Sequence, residues 1–389
     1  MVTGIREDAV AVRMSWDDVC ARRLERHALH EPANAAPAEI VTAMAGAHAQ
    51  VMSAAELGIA QRIKDGTRDG VRAALWDDRS LVKAYGPRGT VHLLPGADLG
   101  MWIGALTALP PTHTFPPDLR LTAEQTDEIV AAIADALSDA ELTVDELTEA
   151  IVERVGPWAG ELSMPAFQTM WPRWRLAHHE AGIRGALCFA PNRGRKVAYT
   201  DPRRWVPGLR PMAADEALGR LVHQYLHAYG PATPQRFAHW LGAQVTWATG
   251  LFASIADQLE QVEVEGTTAW VTAGDTAVPS SPPRGVRLLP HFDTYAYRVG
   301  NQPPELLYPG KARARVLRGN FQALLVDGIV AGLWHQARSG RRLAVTVEPL
   351  VPLTRRHLDD LDAQVHRVGE ILDATPRLTI GTVTAGSHA

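Results

Sequence analysis

The residues best suited to chemistry lie in one short stretch, 46–56, which reads GAHAQVMSAAE. His48 and Gln50 are two residues apart. On a helix such a pair points ~200° apart, whereas in extended chain it shares a side. A connection between two helices therefore lets an imidazole and an amide face one cleft. An amide can orient a water but is a poor acceptor of its proton. An imidazole with an unperturbed pKa of ~6.5 can do both. Ser53 and Glu56 have the S-x-x-E spacing of a capping box, which sets a helix start at Ser53, and Gly46 ends the helix before it. The free N–H groups of the new helix favour a phosphate beside the pair. H-x-Q carries no specificity of its own, and a polar loop with His48 bonded locally is the commoner meaning of such a stretch.

Other constellations are weaker. Arg193, Arg195 and Lys196 occupy a hairpin turn, with Arg203 and Arg204 close behind. Five cations so close together suit a phosphate backbone, and a solvated loop explains them equally well. His178 and His179 are adjacent on a predicted helix, diverge by ~100° and cannot chelate one metal. They read as helix-surface or core-edge histidines. Trp171 and Trp174, spaced i,i+3, read as core. The two cysteines, Cys20 and Cys188, make neither a ligand cluster nor a disulfide framework. GxGxxG, P-loop, GxSxG and HExxH motifs are absent. The expectation is a protein without metal or cofactor.

The elements that must hold these residues follow a recurring pattern of helices and then two short strands around a glycine-containing turn. Helices are predicted over 38–47, 53–64 and 69–76, with strands 80–85 and 90–94. A second set has helices 123–137, 143–155 and 164–181, with strands 186–190 and 196–200. A third has helices 214–228, 233–241 and 247–258, with strands 261–265 and 268–272. Three helices and a β-wing make a winged helix, so the simplest reading is three in tandem. Residues 276–284, TAVPSSPPR, read as a linker. Strand-like runs at 286–289, 323–326, 329–334 and 342–347 and a helix at 354–372 make a β-rich C-terminal module. The fold class is α+β, mainly α, with modules at 15–106, 118–208, 212–275 and 285–384.

Bulk properties agree. At 389 residues the chain exceeds one simple core, and a 46% hydrophobic, 21% charged composition is globular. No apolar run approaches the ~18 residues of a membrane span. The N-terminus has early acids and no unbroken apolar run, so it does not read as a signal peptide, and a cytoplasmic protein is expected. The net charge of −4 hides an asymmetry. Residues 118–161 hold 12 acids and 2 bases, which leaves +6 on the remainder. Of the 39 basic residues only Lys64, Lys83, Lys196 and Lys311 are lysines. That bias suits bidentate phosphate contacts, and a GC-rich genome produces it too.

The segments HAQVMSAAEL (48–57), RGTVHLLP (88–95), LCFAPNRGRKVAYT (187–200), LPHFDTYAY (289–297) and LVDGIVAGLWHQ (325–336) resemble, in order, the AlkZ-type winged-helix DNA glycosylases. The resemblance implies three tandem winged helices around a concave DNA channel, with a β-rich C-terminal region. It implies excision of bulky, intercalated or crosslinked alkylated purines, and members occur as self-resistance enzymes beside genotoxin biosynthesis. The usual catalytic motif is Gln-x-Gln, or Gln-x-Asp in a related branch. Gln50 matches it directly, while His48 stands where the first glutamine is expected. Gln50 is then the water-positioning group and His48 either a positioning group or a general base. Ser53, Arg88, His92, Arg193, Arg195, Lys196, Arg203 and Arg204 are the candidate DNA contacts. A lyase would need an amine nucleophile, and the nearest lysine in sequence, Lys64, lies late in the next helix. A monomeric, nucleoid-associated, monofunctional enzyme on double-stranded DNA is expected. The competing reading is a non-catalytic winged-helix regulator or lesion-binding shield.

Overall fold

The computed structural model describes residues 12–111, 115–166, 169–296 and 322–384. It opens with strand β1 (Val12–Met14) and helix α1 (Trp16–Arg26), then α2 (Pro37–Ala43), β2 (Ala47–His48), α3 (Met52–Ala60) and α4 (Arg68–Trp76). A hairpin, β3 (Leu81–Tyr85) and β4 (Val91–Pro95), and helix α5 (Leu99–Thr107) follow. The first predicted helix stops four residues early. Ala45 and Gly46 both take positive φ, 52° and 92°, and the Gly46 N–H returns to the Val41 carbonyl at 2.9 Å. The chain thereby leaves α2 sharply and enters β2. The expected capping box does not form. Helix α3 starts at Met52 behind Val51, with no side-chain cap. The Glu56 carboxylate is buried and instead meets Arg72 Nε at 2.7 Å and Arg68 Nε at 3.7 Å. A carboxylate taken out of water needs a cationic partner more than a backbone N–H.

The next stretch contains α6 (Ala123–Leu137), β5 (Glu141–Thr143) and α7 (Val144–Val155), with Thr122 and Thr143 forming capping boxes at the two helices. The predicted helix over 164–181 holds only from His178 onward. A hairpin, β6 (Leu162–Ala166) and β7 (Thr169–Pro172), stands at its start, followed by a 3-10 turn and a short helix α8 (His178–Ile183). Pro172 sits mid-run, where it lacks a donor and would clash with the preceding turn of a helix. Trp174 is in the core, its Nε1–H donating to Thr148 Oγ1 at 3.0 Å. Trp171 is only half-buried, with the Arg175 guanidinium 4.1 Å above its ring. Strands β8 (Cys188–Arg193) and β9 (Lys196–Thr200) complete this part. The two hairpins, β3–β4 and β8–β9, meet edge to edge. They join in one six-stranded sheet, β2-β4-β3-β8-β9-β5, through Lys83 opposite Phe189.

Helices α9 (Ala214–Tyr229), α10 (Pro234–Leu241) and α11 (Val245–Ser254) precede the hairpin β10 (Leu259–Val264) and β11 (Thr267–Thr272). The first described elements, β1 and α1, belong here. Strand β1 pairs in parallel with β10, and Arg23 and Arg26 of α1 donate to the carbonyls of Pro231 and His227. The segment read as a linker is strapped down, because Arg22 donates to the Ala277 carbonyl and also pairs with Asp275. One core, with Val82, Trp102, Tyr225, Trp240 and Phe252, runs from the first hairpin through α5 into α9–α11.

The C-terminal sheet has the order β12 (Val286–Leu289), β13 (Gln322–Val326), β14 (Ile329–Ser339), β15 (Arg342–Pro349) and β16 (Thr375–Ile380). Helix α12 (Arg355–Ile371) crosses over between β15 and β16, which allows that last pair to run parallel. Strand β16 escaped the sequence reading, since its TPRLTI has a proline and mostly exposed residues. This sheet shares a core with α2–α4. Val41, Leu57 and Leu75 pack in one cluster with Val286, Trp334, Val347 and Leu361. A buried ion pair fastens the two parts together. Arg62, just beyond α3, donates from Nη1 and Nη2 to the Asp293 carboxylate at 2.7 and 2.8 Å, and from Nη1 to the Gly58 carbonyl at 2.6 Å. Removing one buried charge strands the other. Asp293→Ala should therefore lower unfolding free energy in urea by about 3–5 kcal/mol. The double change Arg62→Met/Asp293→Leu should recover most of that, and equal losses in single and double variants would show that the pair is not the anchor.

Candidate active site

His48 lies on a strand rather than in a loop. It stands opposite His92 in the antiparallel β2–β4 pair, and the Ala49 N–H extends the pairing to the Val91 carbonyl at 2.8 Å. The side chain is 6% exposed. Gln50 follows at a bend and is exposed, immediately before α3, and Ser53 is exposed in the first turn of that helix. One side chain of the pair is thus enclosed and the other meets solvent.

Two rings flank the His48 imidazole. His92 stands edge-on with centroids 5.2 Å apart, and Phe292 of the C-terminal part lies at 4.8 Å with planes 47° apart. Burial, and then the positive charge of Arg88, lower the His48 pKa to about 4. Burial likewise pushes His92 well below the ordinary histidine range, with His48 and Arg88 adding to the effect. His92 Nδ1 is 2.9 Å from the Thr90 carbonyl, which can only accept, so Nδ1 carries the proton. Both imidazoles are neutral at pH 7. The turn between β3 and β4 is shaped around them. A Cβ at Gly86 would come within 2.7 Å of the His92 ring.

The candidate DNA contacts differ in burial and in their partners within the protein. His92 is 2% exposed, its ring packed edge-on against that of His48. Arg88 is half-buried with φ 62°, and its Nη1 donates to the Trp240 carbonyl at 2.6 Å. Arg193 pairs with Glu146, and Lys196 with Asp145 at 2.7 Å, so two cations of the second hairpin are matched by α7. Arg195 is exposed at the tip. Arg203 pairs with Asp201, and Arg204 donates to Thr200 Oγ1 at 2.7 Å. Of the adjacent histidines, His178 is buried, its Nδ1 2.8 Å from Tyr85 Oη, while His179 is exposed. The structure brings His48, His92 and Phe292 together, and it does not bring the second-hairpin cations into that cluster. Phe292 is not among the residues that the sequence singles out, although it lies within LPHFDTYAY. Among the described residues, no group of three or more His, Cys, Asp or Glu could hold a metal ion, and no helix is long and apolar enough to cross a membrane.

A buried, neutral imidazole thus stands beside an exposed amide at a helix start, in a chain whose α+β architecture ends in a β-rich region. Over residues 41–371 the chain matches the family described as DNA glycosylase AlkZ-like. It belongs to that family, and is thus a DNA glycosylase, a hydrolase acting on N-glycosyl bonds. A Streptomyces sahachiroi protein described as an interstrand DNA cross-link repair glycosylase is 32% identical over 341 residues, spanning 83% of this chain and 88% of the relative. Among solved structures, the Streptomyces sahachiroi DNA glycosylase AlkZ superposes with a TM-score of 0.80 at 28% identity, covering 95% of this chain and 100% of that one. The non-catalytic regulator reading is therefore set aside.

The depressed His48 pKa has a direct consequence in the free protein. A histidine whose folded pKa is lowered stays neutral through the range where an exposed one titrates. His48 ring resonances should therefore stay unchanged from pH 8 to about 5.5 and move only near pH 4. Arg88→Gln removes the neighbouring positive charge and should raise the midpoint. A wild-type midpoint near 6.5 would mean an open, solvated ring.

Proposed function

We propose that this glycosylase hydrolyses the N-glycosidic bond of bulky or crosslinked alkylated purines in double-stranded DNA, leaving an abasic site. The observation carrying this reading is the enclosed, neutral His48 two residues before exposed Gln50, at the positions where the family's Gln-x-Gln motif falls. The relative's role in interstrand cross-link repair supports the bulky-lesion part. Alkylation at guanine N7 or adenine N3 already puts positive charge on the base, so departure needs little acid help. The base leaves with the electron pair of the C1′–N bond. Water forms the new C1′–O bond, and its proton passes to His48 or to solvent.

With a pKa of about 4, His48 is a weak base, so orienting the water is its larger role, shared with the Gln50 amide. Among the described residues, the lysines near His48 in sequence or in the sheet are not aimed at it to open a lyase path. Lys83 stands opposite Leu93 on β4, whereas His48 and Ala84 stand opposite His92, so Lys83 leaves the other face of the sheet. Lys64 is exposed beyond α3.

We further read residues 15–106, 118–208 and 212–275 as three winged-helix modules forming a DNA channel, in a monomer working beside the nucleoid in the cytoplasm. Ser53, Arg88, Arg203, Arg204 and the second hairpin are the phosphate contacts. The pairs at Arg193 and Lys196 are exposed, and phosphate oxygens can replace such carboxylates at little cost. Self-resistance to an alkylating natural product is the biological setting we favour.

Two experiments test this. On duplex DNA carrying a bulky N7-alkylguanine, His48→Ala and Gln50→Ala should each slow excision roughly 10²–10⁴-fold with little change in DNA affinity. His48→Gln restores the usual motif and should keep substantial activity, since orientation outweighs basicity. A His48→Ala/Gln50→Ala double variant at wild-type rate would remove the site. Separately, changing Arg193, Arg195 and Lys196 to Ala should make the log–log salt dependence of DNA binding shallower by about two to three units. An unchanged slope takes this hairpin out of the interface.

A further inference from the structure

We propose that Phe292 is a positioning residue for His48, so that the C-terminal part supplies one wall of the active site. The inference rests on the functional reading above, because it needs His48 to be the group that handles water.

The contact is direct. The Phe292 ring is nearer to the imidazole than His92 is, 4.8 against 5.2 Å between centroids. His92 fixes one side of the ring from within the sheet, and Phe292 closes another from a separate part of the chain. The backbone is unusual as well. Phe292 has φ 58°, in the left-handed region that bulky side chains avoid. A residue stays there only where its surroundings over-determine it.

Those surroundings are identifiable. Asp293, the next residue, is locked by two bonds to Arg62. Its backbone N–H bonds back to the Pro290 carbonyl at 3.3 Å, and its carboxylate accepts the Tyr295 N–H at 3.1 Å. The turn from Pro290 to Asp293 is thereby fixed on both sides of Phe292. Arg62 is in turn tied to Gly58 of α3, the helix that begins four residues after His48. The contacts close a circuit from His48 along α3 to Arg62, across to Asp293, and back through Phe292 to His48. Phe292 itself is half-buried and is not among the buried core residues, so packing alone does not account for a strained aromatic here.

The test is single-turnover excision of a bulky N7-alkylguanine from duplex DNA, with DNA affinity measured beside it. Phe292→Ala should slow the chemical step roughly 10- to 100-fold while leaving affinity within about twofold, as expected for a misplaced reacting group. Phe292→Tyr keeps the ring and should stay near wild type, whereas Phe292→Leu keeps bulk without the ring face and should resemble Ala. Combining Phe292→Ala with His48→Ala should be no slower than His48→Ala alone. In the DNA-free protein, Phe292→Ala should move the His48 ring resonances and Phe292→Tyr should not. Wild-type excision by Phe292→Ala, a leucine variant as fast as the tyrosine one, additive losses in the double variant, or unmoved His48 resonances would each overturn the proposal. Failure of the functional reading looks different. There, wild-type protein releases no alkylated base, or His48→Ala acts at full rate, and the positioning role falls with it.

Discussion

Arg62 and Asp293 are an arginine and an aspartate withdrawn almost wholly from water, and the relation between the two ends of this chain depends on them. Moving such a pair out of solvent costs several kcal/mol per ion, and an apolar pair of similar volume can be as stable. Its worth therefore lies in direction. Two parallel bonds from a planar guanidinium fix a carboxylate in orientation as well as distance. One helix end and one turn are held in register, and around that register the core shared by α2–α4 and the C-terminal sheet is packed.

What the register holds is a histidine in an unfavourable place for a charge. His48 is enclosed by protein, with Arg88 contributing positive potential. For the substrate proposed here this has a clear benefit. The alkylated purine departs with the bond's electron pair and becomes neutral, its positive charge passing to the sugar, and a protonated imidazole beside that sugar would raise the barrier through like-charge repulsion in a poorly screened site. A neutral ring offers a lone pair without that penalty. Gln50, in solvent at the helix start, is uncharged at any pH, so the two groups expected to handle water add no charge near neutrality.

Much of this was legible in the sequence, and the misses have physical causes. Helices with strong caps and clean periodicity were placed almost to the residue, as with 123–137 behind Thr122 and 233–241 behind Thr233. The 164–181 segment failed because apolar spacing compatible with a helix outweighed Pro172, whose missing donor decides the matter. The Ser53–Glu56 motif failed because local spacing cannot reveal that Glu56 will be buried against Arg68 and Arg72 from the next helix. His48 and Gln50 stood out from their own neighbourhood. The partners of His48 could not, since His92 and Phe292 reach it through strand register and a distant turn that no local pattern encodes.

The distance along the chain between Arg62 and Asp293, 231 residues, also bears on how the protein is made. Closing so long a loop is slow and depends on everything between. Synthesis proceeds from the N-terminus at ~5–20 residues per second, so α3 emerges roughly 10–45 s before its anchor. During that interval the strand bearing His48 lacks its outer wall, and Arg62 has no carboxylate to meet. A chain that ends before Phe292 therefore lacks the ring that stands against His48. The surroundings of His48 are thus completed only by the last-made quarter of the chain.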